Sequence, residues 1–227
     1  MEDFCQNKDS SIPSAADAGG TLIRSAHGTV FCFTVIGEVE GHTVLGEKSK
    51  TTKYEHVIPL LAAIEGEDRV DGVLVLLNTV GGDVEAGLAM AELLAGLSKP
   101  TVTLVLGGGH SIGVPLAVAG KQSLIVPSAS MTVHPIRMGG VQIAAPQTYR
   151  YFARLQEQII HFVASHSHIS EEKFRELMMT VGDMSSDVGT VLYGREAVRL
   201  GLIDREGDIH DAMEILYSMM NKERGTA

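Results

Sequence analysis

Ser111 sits in Gly107-Gly-Gly-His-Ser-Ile-Gly113, a glycine-crowded stretch that follows the strand-like run Thr101-Val-Thr-Leu-Val-Leu106. Glycines let other backbone, or a substrate, come close, and they permit the positive φ values that sharp strand-to-helix turns need. A hydroxyl held there is a candidate nucleophile, but it is inert at neutral pH without a base. Nine histidines are available: His27, His42, His56, His110, His134, His161, His166, His168 and His210. His134 closes the β-branched run Met131-Thr-Val-His134 and precedes Pro135. A histidine at a strand end, where parallel-sheet enzymes place their sites, suits a general base, and a hydrogen-bonded structural histidine is its competing role. His110 adjoins the serine, but adjacent residues project in different directions. His166-Ser-His168 has the spacing of metal ligands, yet no Cys, Asp or Glu nearby completes a set, so it reads as a solvated helix end.

A second glycine turn, Leu77-Asn-Thr-Val-Gly-Gly-Asp-Val84, duplicates the setting of Ser111. Backbone N–H groups at such a turn, beside a positive helix N-terminus, can stabilise an oxyanion; Gly81 and Gly82 could equally serve only to turn the chain or to cradle a phosphate. Gly109-His-Ser-Ile-Gly113 also fits G-x-S-x-G, the nucleophile elbow of α/β-hydrolases, with Asp187 and His210 able to follow in the order acid, histidine. The other arrangement uses His134, 134 − 111 = 23 residues after the serine, with the acid last. The pentapeptide does not choose between them.

These residues need elements to hold them. Thr29–Ile36, Val73–Leu77, Thr101–Leu106, Leu124–Val126 and Met131–Val133 read as strands. Tyr54–Ile64 has the 3-4 apolar spacing of a helix. A second helix runs from Asp83 and stops before Pro100, and a third spans Ser111–Ala119. Such alternation predicts an α/β fold with a mostly parallel sheet and right-handed crossovers. Thr148–His166 carries Tyr149, Phe152, Leu155, Ile159 and Phe162, broadened by Tyr151, Ile160 and Val163; that width fits either a buried helix or one that also packs on another subunit. Ser170 can N-cap a further helix that opens with Glu171 and Glu172.

The composition bounds the rest. A chain of 227 residues with 44% hydrophobic content, 25 glycines and no Trp suits an aliphatic α/β protein with one main domain, read here as 21–220 between a mobile tail over 1–20 and a short tail over 221–227. Cys5 and Cys32 read as free thiols, not as a disulfide framework or a zinc site. The formal charge of −10 argues against nucleic acid or an anionic membrane as partner. The first residues are polar where a signal peptide would be basic and then apolar, and no stretch approaches the ~20 apolar residues of a membrane span, so a cytoplasmic protein is expected.

Four ordered motifs carry a resemblance. Leu77-Asn-Thr-Val-Gly-Gly-Asp-Val-Glu-Ala-Gly87 is similar to I-N-S-P-G-G-x-V-x-A-G, and Gly107–Gly113 to G-x-x-A-S-M-G. Met131-Thr-Val-His-Pro135 is similar to M-I-H-Q-P, and Gly194–Asp204 to A-x-E-A-x-x-Y-G-L-[IV]-D. From about Thr29 to Asp204 the chain resembles the proteolytic subunit family of Clp proteases, most closely its translocation-enhancing TepA branch. The resemblance implies a crotonase-like, ClpP-like ββα superhelix with the helix from Thr148 as a protruding handle between stacked heptameric rings. It implies Ser111 as nucleophile, His134 as base, and the N–H groups of Gly82 and Ile112 as oxyanion hole, with no cofactor and no metal. It also implies peptides or unfolded chains as substrate, a homo-oligomeric ring or double ring, and an unfoldase as a possible partner.

The departures from the family pattern matter too. Gly189 stands where the family has its catalytic Asp, so Asp187, two positions away, is the expected orienting acid and Asp183 its rival. Extra polar residues between Glu38 and Lys53 and the segment Arg137–Ala145 also depart, near places where partners could dock. Two other functions compete: a binding or chaperone-like assembly whose triad has decayed, and a crotonase-type acyl-CoA enzyme. The latter has no need of a Ser111–His134 pair.

Overall fold

The computed structural model describes residues 19–137, 139, 144–184 and 187–226, without the side chains of 183, 184, 187 and 226. Most of the expected N-terminal tail, Cys5, part of the Arg137–Ala145 segment and the side chains of Asp183 and Asp187 therefore lie outside the described residues.

The chain opens with β1 (Gly20–Ser25), β2 (Gly28–Glu40), β3 (Thr51–Lys53), α1 (Tyr54–Glu65), β4 (Gly72–Gly82), α2 (Val84–Gly96) and β5 (Thr101–Gly109). It continues with α3 (Gly113–Val118), β6 (Gln122–Ile125), β7 (Ser130–Val133), α4 (Ala145–Ser165), α5 (Glu171–Met179), β8 (Val181–Met184) and β9 (Asp187–Val188). β10 (Thr190–Tyr193), α6 (Gly194–Arg199), β11 (Arg205–Glu206) and α7 (Ile209–Thr226) complete it; α7 stays helical through 221–226, which composition alone leaves as a tail.

The main sheet runs β1-β2-β4-β5-β6-β11, with β3 beside β2 and the β7–β10 pair reached through β5. The β2–β4, β4–β5, β5–β6 and β6–β11 pairs are parallel, as the strand–helix alternation requires, and β1–β2 and β7–β10 are antiparallel. The runs read as strands are buried on both faces. Phe31, Phe33, Val73, Val75 and Leu77 pack with α1, α2, α3 and the C-terminal half of α4. Val30, Cys32, Leu74, Val102 and Leu104 pack under Ala212, Leu216 and Met220 of α7.

Asp83 caps α2 by accepting a hydrogen bond of 2.9 Å from the Ala86 N–H, and Ser170 caps α5 by accepting one of 3.1 Å from Lys173 N–H. No described helix is long and apolar enough to cross a membrane.

The broad apolar stripe expected on the 148–166 helix divides in two. Leu155, Ile159, Ile160, Phe162 and Val163 are buried in the chain's own core, whereas Tyr149 (71% exposed) and Tyr151 face outward. Helical periodicity cannot separate these cases, because both halves carry the same 3-4 spacing.

Candidate active site

The two glycine turns meet. β4 and β5 lie side by side up to Leu77 and Val105, and their register then shifts so that Thr79 faces Gly109. The Asn78 side-chain carbonyl accepts the Gly108 N–H at 2.9 Å, and the Thr79 carbonyl accepts the His110 N–H at 3.2 Å. Gly81 has φ +96°, and a Cβ there would lie 2.7 Å from Ser111 Cβ and 3.3 Å from its Oγ. Any other residue would be strained and would push the serine away.

Ser111 itself has φ +57°, in the left-handed region that non-glycine residues rarely occupy. Its conformation is held from both sides: the Ser111 N–H donates to the Thr132 carbonyl at 2.8 Å, and its own carbonyl accepts the Val114 N–H at 3.0 Å. The backbone strain thus survives because the surroundings over-determine it. Between Ser111 and Gly113, the Ile112 N–H has no hydrogen-bond acceptor among the described residues.

His134 follows β7 directly. Its Nδ1 lies 2.6 Å from the Pro135 carbonyl oxygen. A carbonyl can only accept, so Nδ1 bears the hydrogen and Nε2 of the neutral ring keeps a free lone pair. That tautomer is the one a general base needs.

Ser111 and His134 line one cavity of about 230 Å³. Its walls come from Val80, Gly82 and Val84 of the first turn, Ile112 and Val114 of the second, Val133 to Arg137, and Ile159, Phe174 and Met178 of α4 and α5. His210 is not among them; it is exposed in the first turn of α7, so the structure does not bring together the Ser111, Asp187 and His210 order of an α/β-hydrolase.

Gly189 packs directly on His134: a Cβ there would sit 2.5 Å from the Val133 carbonyl oxygen and 2.7 Å from His134 Cβ, at φ +138°. No side chain fits without moving β7. Asp187 lies on β9, which pairs with β8 through Met184↔Asp187 and Val181↔Val188.

His110 is the feature that position in the sequence undervalues. Its Nδ1 shares a hydrogen bond of 2.8 Å with Thr132 Oγ1. Burial, and then the charge of His134, hold its pKa below the ordinary histidine value. His166 and His168 do not share a site with a metal's donor set: His166 Nδ1 lies 2.8 Å from the Phe162 carbonyl, and His168 pairs with Asp204 at 3.4 Å. No group of three His, Cys, Asp or Glu among the described residues is placed to hold a metal.

The polar stretch after Glu38 reaches the rim of this site. His42 Nδ1 lies 3.6 Å from Asp83, the α2 cap next to Gly82. Lys53 of β3 pairs with Glu40 at 3.6 Å. Tyr151 donates to Glu85 in the first turn of α2 at 2.7 Å.

A family model described as Clp protease matches residues 31–210, which hold both glycine turns, Ser111, His134 and the ribbon of Asp187. The chain belongs to the Clp protease family. Its α/β fold is the ClpP-like one. Over 195 residues it is 54% identical to "Translocation-enhancing protein TepA" of Halalkalibacterium halodurans, covering 86% of this chain and 76% of that protein. A second relative, "Putative protease MJ0651" of Methanocaldococcus jannaschii, is 26% identical over 216 residues, covering 80% of this chain and 66% of that protein.

Proposed function

We propose that the chain is a serine peptidase that cleaves peptides or unfolded chains through an acyl-enzyme. Ser111 Oγ attacks the scissile carbonyl carbon while His134 Nε2 takes its proton, and the N–H groups of Gly82 and Ile112 receive the oxyanion. His134 then passes the proton to the leaving amine. Water, deprotonated by His134 in turn, attacks the acyl carbon and releases the acid with Ser111 restored.

The observation that carries this reading is the pairing of a serine at φ +57° with a histidine whose Nδ1–H is engaged by the Pro135 carbonyl, both on one cavity. Val114, Ile159, Phe174 and Met178 line the same space, which suits an apolar side chain of a peptide. Asp187 is the orienting acid of this proposal. It precedes Gly189, which packs on His134, by two residues, about 6–7 Å of extended chain.

The subunits are proposed to form a homo-oligomeric ring, heptameric or doubled, with an unfoldase as a possible partner. The outward-facing Tyr149 and Tyr151 supply an apolar surface for such packing. The name of the Halalkalibacterium relative connects that protein with translocation; handling chains bound for translocation is the corresponding proposal here. One observation favours a second reading, a ClpP-like binding assembly with little catalysis: Gly189 occupies the place beside the base where the family's acid is expected.

Mass spectrometry after exposure to a fluorophosphonate separates the two. The peptidase reading expects a single adduct on Ser111, none in Ser111→Ala, and a loss on the order of 10⁴ or more in kcat for Ser111→Ala or His134→Ala. Undiminished peptidase activity in Ser111→Ala overturns it. An unlabelled wild type favours the binding assembly.

A further inference from the structure

We propose that Thr132 and His110 form a clamp that positions Ser111 and His134 relative to one another, His110 acting through Thr132 and not on substrate. The proposal rests on the reading of Ser111 and His134 as the reacting pair. Thr132 uses both of its polar groups on the nucleophile's turn: its carbonyl accepts the Ser111 N–H at 2.8 Å, and its hydroxyl bonds His110 Nδ1 at 2.8 Å. Two residues later, directly after the end of β7, stands His134. One threonine thus joins the loop of the nucleophile to the strand of the base.

His110 is anchored in turn. Its N–H donates to the Thr79 carbonyl at 3.2 Å, its carbonyl accepts the Gly113 N–H at 2.9 Å, and its ring lies over Gly108. The similar family motif, G-x-x-A-S-M-G, has alanine before the serine, so the imidazole at this position departs from that motif.

Electrostatics give the pair a consequence beyond packing. His134 is the charged group that acts on His110, from β7; Thr79 and Gly81 of β4 and Gly108 of β5 bring no ionisable side chain against it. A half-buried ring that stays neutral leaves His134 free to become the imidazolium of the transition state. A charged one would oppose it.

The test is the rate of fluorophosphonate labelling of Ser111 from pH 5 to 9 in wild type, Thr132→Val, Thr132→Ser and His110→Gln, with the melting temperature of each. Displacing a reacting pair by about 1 Å costs on the order of 10²-fold, so Thr132→Val is expected to label about 10²-fold more slowly while still melting cooperatively. Thr132→Ser, which keeps the hydroxyl, restores the rate. His110→Gln reduces the lower end of the acid limb from a two-proton to a one-proton fall, which a merely structural role would not do. Wild-type labelling in Thr132→Val, or an unchanged acid limb in His110→Gln, overturns the clamp. If wild type takes no label, the nucleophile reading fails separately, and imidazole ¹⁵N spectra decide the clamp. Thr132→Val is then expected to shift the ring ¹⁵N resonances of His110, which loses its hydroxyl partner, and of His134 beside it, and an unchanged His134 spectrum overturns the proposal.

Discussion

Around Ser111, hydrogen bonds from β4, β7 and the start of α3 converge on His110 and Ser111, and Gly81 presses against the serine side chain itself. Around Asp187 the chain forms a two-stranded ribbon, β8–β9, that joins no other strand among the described residues and is tied back where the Gly189 N–H donates to the Thr180 carbonyl at 2.8 Å. Val181 on that ribbon is 81% exposed. Ser111 is fixed by contacts that cannot relax singly, whereas Asp187, the acid of the proposed triad, rides on a ribbon that pairs with no other described strand. A site built this way would keep its serine geometry through changes in its surroundings and place its adjustable part on the far side of His134.

The largest effect expected from breaking this asymmetry is on the serine side. Gly81→Ala puts a methyl 2.7 Å from Ser111 Cβ at a φ of +96°, so we expect labelling of Ser111 to fall by about 10²-fold or more and the melting temperature to drop. Labelling at the wild-type rate would show that the turn yields more easily than its contacts indicate.

On the acid side, losing an orienting Asp can cost about 10⁴ in kcat, chiefly because the histidine takes the wrong tautomer. Here the Pro135 carbonyl already enforces the Nδ1–H tautomer. Asp187→Asn is therefore expected to reduce peptide turnover by well under that, about 10- to 10²-fold, and Asp183→Asn to leave it unchanged. A 10⁴-fold loss would mean that the carboxylate displaces the Pro135 carbonyl during turnover. If Asp183→Asn is the damaging change, the acid is reassigned.

Gly189→Ala tests the boundary between the two sides. Its methyl meets the Val133 carbonyl at 2.5 Å, so we expect destabilisation of about 1–3 kcal/mol in denaturant melts. An unchanged midpoint would show that β9 moves aside freely.

The smallest expected effect is a pH dependence. The His110 pKa lies below its ordinary value of 6.5, first through burial and then through His134. Below pH 6.5 the unfolded chain therefore binds the proton more readily than the folded one. The stability contributed by the neutral ring is complete above that pH and is lost as pH falls through the folded value. In His110→Gln the decline in melting temperature between pH 6.5 and 5 should be shallower than in wild type.

Much of this arrangement was legible in the residues and part of it was not, for identifiable reasons. The run Val73–Leu77 announces a buried strand because it is apolar on both faces, Thr101–Leu106 because it is rich in β-branched residues, and Asp83 and Ser170 announce helix starts because their side chains replace missing backbone acceptors. The partner of His134 Nδ1 left no trace, since every residue carries a carbonyl and none advertises where it points. The Thr132–His110 bond was hidden for another reason: it joins residues 22 apart whose types are common in cores. β1 and β3 escaped because short strands with exposed positions lack an alternating signal.

The 148–166 helix shows the limit of periodicity most clearly. Ile159 and Phe162 belong to the chain's own core, so charging them would unfold the subunit and report nothing about assembly. If the proposed ring packs through this helix, substitution of the exposed Tyr149 and Tyr151 is expected to dissociate it and leave each subunit folded.

Arg224, near the end of α7, bonds the His27 carbonyl at 2.9 Å and pairs with Asp71 at 2.8 Å. Val30, Cys32, Leu74, Val102 and Leu104 pack under the helix this arginine fastens. During synthesis β2, β4 and β5 emerge long before α7, and until it arrives the nascent sheet presents a bare apolar face with 197 residues separating the two ends of its final latch. Such distant closure slows folding and exposes the chain to aggregation. The newborn subunit thus passes through an interval as an incomplete, adhesive sheet, and a change that weakens the latch is expected to reduce the yield of soluble protein more than the melting temperature of the molecules that finish.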